Sequence, residues 1–322
     1  MSALPEDRID LLDRRLVFVT GKGGVGKTSI AAALALLAAQ RGKRTLVCEI
    51  DAKGDLADSF ESGPLAFQPR ELAPNLVGMA MDTEESLKEY LRLQLKVPLL
   101  GRIGPVARTF DFVADAAPGV KEILTVGKLC YEVRERTYDL IVVDASATGH
   151  VVGQLAAPQA INQLVKVGRV RDQTGWMVDI LSDPLVTAAV IVSVPEEMPV
   201  TETLELAQRL RAETDVHLAA VVVNKVLPEL FGRGEEEVFH ALREPALAAV
   251  LADVVGGPVE PVLDAAQLAV TLRRTRAGHL TKLRAGLPRG LPLLYVPFLF
   301  TRTHGVRSTR SVADALSAEL GY

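Results

Sequence analysis

The amino-acid sequence predicts an α/β fold in which a mainly parallel sheet is covered by helices on both faces. Apolar runs bounded by turn residues recur along the chain, which indicates buried strands, and helical patterns fill most of the intervals between them. The runs are Leu16–Thr20, Thr45–Asp51, Leu76–Met81, Leu140–Asp144, Ala188–Val194, Ala219–Val226 and Leu293–Pro297. Because strand–helix–strand units place their strands in parallel, ligands are expected at the carboxyl ends of the strands.

The first strand is followed by a glycine-rich loop and by an Ala- and Leu-rich helix that Gly42 is expected to close. The stretch "VTGKGGVGKTSI", Val19–Ile30, fits two phosphate-binding patterns. Its glycines match the G-x-G-x-x-G of dinucleotide-binding folds, with Glu49 or Asp51 as the ribose carboxylate. The same residues also match the G-x-x-x-x-G-K-[ST] of a phosphate loop.

Lys27 and Thr28 favour the phosphate loop, because a dinucleotide fingerprint uses neither a lysine nor a hydroxyl at the start of the helix. In a phosphate loop the lysine neutralises β- and γ-phosphate oxygens, the hydroxyl binds Mg²⁺, and backbone N–H groups surround the β-phosphate. The predicted nucleotide-binding residues of the loop are Gly21, Gly23, Gly24, Val25, Gly26, Lys27, Thr28 and Ser29.

A second element of the predicted site is "YDLIVVDASATGH", a buried strand that ends at Asp144, with Gly149 five residues later. An acid at this position can hold a water molecule bound to Mg²⁺, and a following glycine lets a backbone N–H approach the γ-phosphate. Asp144 is therefore a predicted metal-binding residue together with Thr28, and Gly149 is a predicted nucleotide-binding residue. His150 is left without an assigned role.

Two helical segments are too long to be simple connections between strands. They comprise residues 82–136 and 158–182, which leaves residues 1–81, 137–157 and 183–322 for the core. Two interpretations stay open: the inserts form a helical subdomain above the nucleotide end of the sheet, or they are longer helices that cover its face. The Gly- and charge-rich segment Phe231–Glu237 is predicted to be flexible.

Composition argues against several other classes of protein. The 322 residues are 48% hydrophobic and 24% charged, which is typical of an ordinary globular α/β protein. The net charge of −4 produces no electrostatic field that would attract nucleic acid or an anionic membrane. The basic stretch 271–286 is more simply explained as a solvated helix face than as a DNA-binding patch. Cys48 and Cys130 are too few for a zinc site or a disulfide framework. The polar first residues and the lack of a bilayer-spanning run lead us to expect a cytoplasmic protein that is not integral to a membrane.

The octapeptide G-K-G-G-V-G-K-T, Gly21–Thr28, resembles the deviant Walker A motif of a large ATPase family. That family includes the ArsA arsenite-pump ATPase, the ATPase that targets tail-anchored membrane proteins, MinD, ParA and nitrogenase iron protein. The resemblance implies that ATP is the nucleotide and that Lys22 reaches across a dimer to the other copy's nucleotide, so that Lys22 and Lys27 both act in catalysis. The stretch Asp144–His150 is similar to switch II of the arsenite-pump and tail-anchored-protein branch.

The stretch "CEIDAKGDLADSF" resembles switch I of the same family, where an aspartate orients the attacking water. The resemblance implies a catalytic and a metal-binding role for Asp51. The residues that match the relatives here are Asp51, Leu56, Asp58 and Phe60, and those that depart are Ala52, Lys53, Gly54 and Asp55.

Later segments resemble the base-binding and interface regions of the family. The resemblance implies that Asn224 reads the adenine edge and that Pro297 and Phe298 lie beside the base. It also implies that Glu202 faces the dimer interface.

As a whole the chain resembles an ArsA-like ATPase of actinobacterial type in the tail-anchored-targeting branch, and the resemblance implies a dimer that uses ATP and Mg²⁺ to bind and release a protein client. Two cysteines do not supply the three thiolates that arsenite handling needs. Three alternatives stay open: a nucleotide-dependent scaffold that hydrolyses ATP slowly or not at all, a heterodimer with a related ATPase, and a metabolic ligase or kinase on the same loop.

Overall fold

The computed structural model describes residues 11–51, 54–95, 119–164, 169–229, 231–300 and 305–322. In these ranges eight strands form one sheet in the order β3-β4-β2-β5-β1-β6-β7-β8. The strands are β1 Leu16–Gly21, β2 Thr45–Glu49, β3 Arg70–Ala73, β4 Leu76–Ala80, β5 Leu140–Ala147, β6 Thr187–Ser193, β7 His217–Val226 and β8 Leu293–Pro297. The helices are α1 Lys27–Gln40, α2 Asp55–Ser59, α3 Thr83–Leu95, α4 Val120–Glu135, α5 Thr148–Leu164, α6 Arg169–Ser182, α7 Glu197–Glu213, α8 Arg233–Leu242, α9 Pro245–Val255, α10 Glu260–Gly286 and α11 Val306–Leu320, and a short 3-10 helix spans Leu11–Asp13.

The mainly parallel sheet predicted from the sequence is confirmed. All seven predicted strands are present, and every neighbouring pair is parallel except β3 and β4. Strand β3 was not predicted. Its residues Arg70 and Glu71 are exposed and polar, so no apolar alternation marks the strand, and it forms by antiparallel pairing with β4 at the edge of the sheet.

Side chains of the strands alternate between two cores, one on each face of the sheet. In β1, Val17 and Val19 join the core beneath α1 and α11, whereas Leu16 and Phe18 join the core beneath α4, α5, α6, α7 and α10. Helix α1 is buried almost all round, because its many alanines let the sheet and α11 approach closely.

The described parts of the two predicted inserts pack against one another and against the sheet. Helix α3 contacts α4, helices α4, α5 and α6 contact one another, and Leu129 of α4 and Met177 of α6 share a core with Phe18 of the sheet. The Nζ of Lys128 on α4 lies 2.7 Å from the carboxylate of Glu89 on α3, which ties the first insert together. The separation of a core from a helical subdomain stays a prediction, since residues 96–118 and 165–168 lie outside the described ranges.

Two local expectations are corrected by the structure. Phe231–Glu237 was predicted to be flexible, but α8 begins at Arg233, and the backbone N–H of Gly232 donates to the Glu235 carboxylate at 2.8 Å. This capping interaction stabilises the first turn of a helix. The second insert was predicted to begin at Pro158, but that residue lies inside α5, which begins at Thr148.

None of the helices in the described ranges is by itself both long and apolar enough to cross a bilayer. Helices α9 and α10 meet the length and hydropathy criteria only as a pair, and they are bent by 119° at the break between them.

A buried arginine lies at the amino end of the sheet, opposite the loop. Arg14 is only 1% exposed, and its Nη2 lies 3.4 Å from Nδ1 of His217 at the start of β7. His217 is exposed on its outer side, but partial desolvation of its ring beside Arg14 lowers its pKa, and the positive charge of Arg14 lowers it further. The carboxylate of Asp183 is a further charge that acts on Arg14. The fold therefore favours the neutral form of His217.

We expect acidification to destabilise the protein through His217. In the unfolded chain the histidine pKa is about 6.5, so below that pH the unfolded state binds a proton that the folded state binds only at lower pH. Stability is thus present above the unfolded pKa and is lost as the pH falls towards the folded pKa. In urea denaturation between pH 7 and 5, His217→Gln should show a flatter pH dependence than the wild type. His279→Gln on α10 is the control, and parallel pH curves for wild type and His217→Gln would contradict the expectation.

Candidate nucleotide-binding site

Three adjacent strands bring the predicted site residues to one edge of the sheet. Strand β5 lies between β1 and β2, and Asp144 is in register with Val19 on one side and Glu49 on the other. The backbone N–H of Ile50 donates to the carbonyl oxygen of Asp144 at 3.1 Å. The loop after β1, Asp51 after β2 and Asp144 in β5 therefore meet at the carboxyl ends of the strands, as predicted.

The glycines of the loop adopt backbone conformations that other residues avoid. Gly21, Gly24 and Gly26 have φ angles of 147°, 84° and 94°. A Cβ atom on Gly21 would collide with the carbonyl oxygen of Val192, and one on Gly26 would collide with the side-chain amide of Asn224. The glycines thus let the loop approach β6 and β7 closely.

Helix α1 begins directly after this loop, with Lys27, Thr28 and Ser29 in its first turn. Gly26 occupies the cap position, and no side chain among the described residues caps the first turn. An uncapped helix N-terminus presents backbone N–H groups and a positive dipole end, which together bind phosphate groups.

Thr28 and Asp144 form the centre of the candidate metal site. The Thr28 hydroxyl donates to Oδ2 of Asp144 at 2.6 Å, while Oδ1 is buried and has no hydrogen-bond partner in the described structure. Burial raises the pKa of Asp144 to about 6, against the lowering effects of the Thr28 hydrogen bond and the Lys27 charge. The nearby carboxylates of Asp55 and Asp51 raise it further. A buried carboxylate with an unpaired oxygen beside a hydroxyl fits a hard cation such as Mg²⁺.

Within the described ranges, no three His, Cys, Asp or Glu side chains gather into a metal-binding group. This is compatible with the coordination of Mg²⁺, which is usually bound by one or two carboxylates together with water and substrate phosphates. Cys48 and Cys130 are buried and free, and burial raises the pKa of both thiols.

Asp51 is exposed and is held by a serine that the sequence analysis did not identify. The Ser146 hydroxyl donates to Oδ1 of Asp51 at 3.1 Å, and Nε2 of Gln154 donates to the Ser146 oxygen at 3.3 Å. Ser146 lies two residues after Asp144 on the same strand, so strand alternation alone could have placed the two side chains on one face. The departing residues Ala52 and Lys53 lie outside the described ranges.

The two lysines of the loop have different surroundings. Nζ of Lys27 lies 3.4 Å from the carbonyl oxygen of Lys22, and its charge acts on Asp144. Nζ of Lys22 forms an ion pair with Glu202 of α7 in the same chain. The contact of Lys22 with a nucleotide in a second copy, and the interface position of Glu202, stay predictions.

The predicted switch II segment contains no loop between its strand and its helix. Strand β5 continues to Ala147 and α5 begins at Thr148, which places Gly149 and His150 in the first turn of the helix, where both are exposed. The role of Gly149 at the γ-phosphate stays a prediction.

Asn224 supports the loop in this structure. Its Nδ2 donates to the carbonyl oxygen of Val25 at 2.9 Å, and its Oδ1 accepts the backbone N–H of Lys225 at 2.8 Å. Nζ of Lys225, which the sequence analysis missed, donates to the carbonyl oxygen of Gly24 at 3.1 Å. One N–H of the Asn224 amide remains for a ligand, so adenine recognition by this residue stays a prediction.

The predicted base-lining residues lie beside the end of β7. Pro297 is the last residue of β8, and the backbone N–H of Phe298 donates to the carbonyl oxygen of Val226 at 2.9 Å. The rings of Phe298 and Phe300 meet edge to face, with their centroids 4.8 Å apart. These residues share the carboxyl edge of the sheet with Asn224, and their contact with a base stays a prediction.

The fold and the loop define the class of protein: this is a P-loop nucleoside triphosphatase fold. Comparison with known sequences then gives the family. The sequence model of the family described as "Anion-transporting ATPase" matches residues 14–179 and 166–244, which together make up more than half of the chain. The chain therefore belongs to the anion-transporting ATPase family, and the expectation of an ArsA-type ATPase is confirmed at the level of the family.

Several named relatives agree with this assignment. The chain is 35% identical over 225 residues to "ATPase BagA" of Mycobacterium tuberculosis, a match that spans 66% of each protein. It is 25% identical over 251 residues to an "ATPase ASNA1 homolog" of Entamoeba dispar, covering 66% of this chain and 76% of that protein. A further ASNA1 homolog, from Paramecium tetraurelia, is 28% identical over 253 residues, covering 66% and 74%.

Proposed function

We propose that this chain binds ATP and Mg²⁺ at the loop and hydrolyses the γ-phosphate, and that it uses this turnover in a dimer to bind and release a protein client. The observation that carries the proposal is the pair formed by Thr28 and Asp144. A hydroxyl and a buried carboxylate with one unpaired oxygen lie together at the start of the helix that follows the glycine loop. The membership of the chain in an ATPase family supports the same reaction.

The loop supplies the binding of the triphosphate. The N–H groups at the start of α1 and the ammonium of Lys27 are the groups that bind and neutralise phosphate oxygens. Thr28 and Asp144 would hold the Mg²⁺, which supplies charge neutralisation at the phosphate oxygens when bound. Asn224 and Lys225 bond to carbonyl oxygens of the loop and so keep it in one conformation before the nucleotide arrives.

The water molecule that attacks the γ-phosphate is proposed to be oriented by Asp51. Ser146 fixes one carboxylate oxygen of Asp51, which leaves the other to accept a hydrogen bond from water. The attacking oxygen forms its bond to phosphorus as the bond to the β,γ-bridging oxygen breaks, ADP leaves with the electron pair of that bond, and the free carboxylate oxygen of Asp51 accepts the proton that the water loses.

Removal of the Asp51 carboxylate is expected to slow turnover without loss of nucleotide binding. Asp51→Asn should lower kcat for Mg²⁺-ATP by about a hundredfold, because an amide orients the water without accepting its proton. Ser146→Ala should give a smaller loss in kcat, since Asp51 keeps its charge but loses its restraint. Steady-state phosphate release and ATP titration measure the two quantities.

Asp58→Asn is the matched control, because Asp58 is an exposed acid on the neighbouring helix α2. The proposed role of Asp51 would be refuted if Asp51→Asn and Asp58→Asn had the same kcat.

The intrachain pair of Lys22 and Glu202 favours one alternative, a scaffold that turns over slowly as a single chain. In the proposed dimer this pair must break before Lys22 reaches a nucleotide in another copy. Specific ATPase activity measured against protein concentration separates the two functions. Dimer-dependent hydrolysis rises with concentration and falls in Lys22→Ala, whereas a slow scaffold shows a low, flat activity in both.

A further inference from the structure

Helix α9 has the composition of a buried helix but lies on the surface. Its sequence, PALAAVLADVV, has one charged residue, Asp253. Leu247, Val250, Val254 and Val255 are nevertheless between 46% and 79% exposed. A helix that is apolar all round is normally enclosed by protein or by lipid. In the described part of the chain, most of this helix is left open.

An exposed apolar side chain also follows the bend, at the start of α10. Val262, in the first turn of α10, is 70% exposed. We call Leu247, Val250, Val254, Val255 and Val262 together the α9 face. Single exposed apolar residues are common on proteins, but five of them on one short helix and in the first turn of the next mark a candidate interaction site.

The α9 face is supported from behind by a small core and by polar ties. Ala248 on the inner side of α9 is buried, and α9 packs against α8, whose Phe239 is buried and stacks on Phe231. The Arg243 guanidinium donates to the Asp264 carboxylate at 2.9 Å and to the Leu263 carbonyl oxygen at 3.1 Å. These contacts join the end of α8 to α10 and fix the helices that present the face.

The charge around the α9 face selects its occupant. Residues 231–268 contain seven acidic and two basic side chains, and the acidic side chains remain in excess when Arg274, which pairs with Glu236, is added. Glu244, Asp253 and Glu260 are exposed on and beside the face. Anionic lipid would be repelled by these carboxylates, and a second copy docked through the same face would bring acid against acid.

We propose that the α9 face binds an amphipathic helix of a partner protein, whose apolar side covers the valines and whose flanking lysines or arginines pair with the carboxylates. Apolar anchors at helical spacing are the usual way in which one helix lies on another, and complementary charge selects the partner. This surface is separate from the loop, so the proposal goes beyond the ATPase function.

Fluorescence anisotropy of a labelled helical peptide tests the proposal on the full chain. The probe is an amphipathic peptide of leucine and lysine, and the charge control is the same peptide with glutamate in place of lysine. The lysine peptide should bind the wild type. Affinity should fall about tenfold or more in Val250→Ser/Val254→Ser, and by a similar factor in Asp253→Lys/Glu260→Lys. The substituted side chains are exposed, so the fold should tolerate both variants.

The matched control is Leu185→Ser, which removes a 61% exposed leucine from the turn before β6 and should leave peptide binding unchanged. The proposal is overturned if neither peptide binds, if both bind equally, or if Leu185→Ser weakens binding as much as the valine variant. It is also overturned if sedimentation shows that the wild type self-associates and Val250→Ser/Val254→Ser does not. Binding of phosphatidylglycerol vesicles that the same variant abolishes would overturn it in favour of lipid.

Discussion

Asp144→Asn is expected to abolish Mg²⁺-supported ATP hydrolysis and, at the same time, to make the nucleotide-free protein more stable. Asparagine has nearly the same shape and still accepts the hydrogen bond of Thr28, so the site keeps its packing. It no longer carries the charge that would hold Mg²⁺. We expect kcat to fall by about a thousandfold, the loss typical of removing one group that stabilises charge in a transition state.

The gain in stability follows from the burial of Asp144. Its pKa is raised from 3.8 to about 6, a difference that corresponds to about 3 kcal/mol. An acid whose pKa is raised by folding destabilises the folded state above that pKa, and the penalty vanishes as the pH falls through the folded pKa to the unfolded one. Urea denaturation with EDTA should therefore show Asp144→Asn to be more stable by up to about 3 kcal/mol at pH 8 and equal to the wild type below about pH 4.

Asp55→Asn serves as the control, since Asp55 is an exposed carboxylate whose charge also acts on Asp144. It should keep most of the ATPase activity. If Asp144→Asn hydrolysed ATP at the rate of Asp55→Asn, Asp144 would not be the metal residue.

The sheet was predictable because buried parallel strands consist of continuous apolar runs, and such runs can be recognised in the sequence itself. Val19 and Asp144 are far apart in the chain, but each lies at or next to the end of such a run, and parallel strands bring their carboxyl ends together. Strand β3 has no such apolar run. Arg70 and Glu71 face solvent, so the strand depends on β4 for its hydrogen bonds and is visible only in the fold.

The phosphate loop was predictable because its chemistry requires fixed residue types at fixed spacing. The side chains that support the site were not, because their partners are distant in sequence. Ser146 holds Asp51 across two strands, Lys225 reaches Gly24 from β7, and Glu202 pairs with Lys22 from α7. Any serine, lysine or glutamate at a strand or helix end looks the same in sequence, so only the tertiary structure identifies these three.

Helix α7 connects the loop with the helices that carry the α9 face. Glu202 of α7 binds Lys22 in the loop, and side chains of α10 bind to α7 and to the residue just before it. Arg276 of α10 donates to Glu196 just before α7 at 3.2 Å, and Lys282 donates to the Thr201 hydroxyl at 3.4 Å. A chain of direct contacts therefore connects the ion pair of Lys22 and Glu202 with α10, the helix that follows α9.

Gly21→Ala is expected to be the most destabilising single substitution in the loop. The φ angle of Gly21, 147°, lies in a region that alanine avoids, and the new Cβ would collide with the carbonyl oxygen of Val192. That oxygen belongs to the backbone of β6, which is in register with Gly21 itself, so relief of the collision would distort the pairing of two central strands. We expect the free energy of unfolding to fall by about 3 kcal/mol, from backbone strain and overpacking together.

The other loop glycines supply a graded control for Gly21→Ala, because they separate backbone strain from collision. Gly24 has a φ angle of 84° but open space around its Cβ position, so Gly24→Ala should cost about 1 kcal/mol from strain alone. Gly23 has open space and no positive φ angle, so Gly23→Ala should change stability by less than about 0.5 kcal/mol. Urea denaturation of the three variants measures the series. If Gly21→Ala were as stable as Gly23→Ala, the close approach of the loop to β6 could not be what requires glycine at this position.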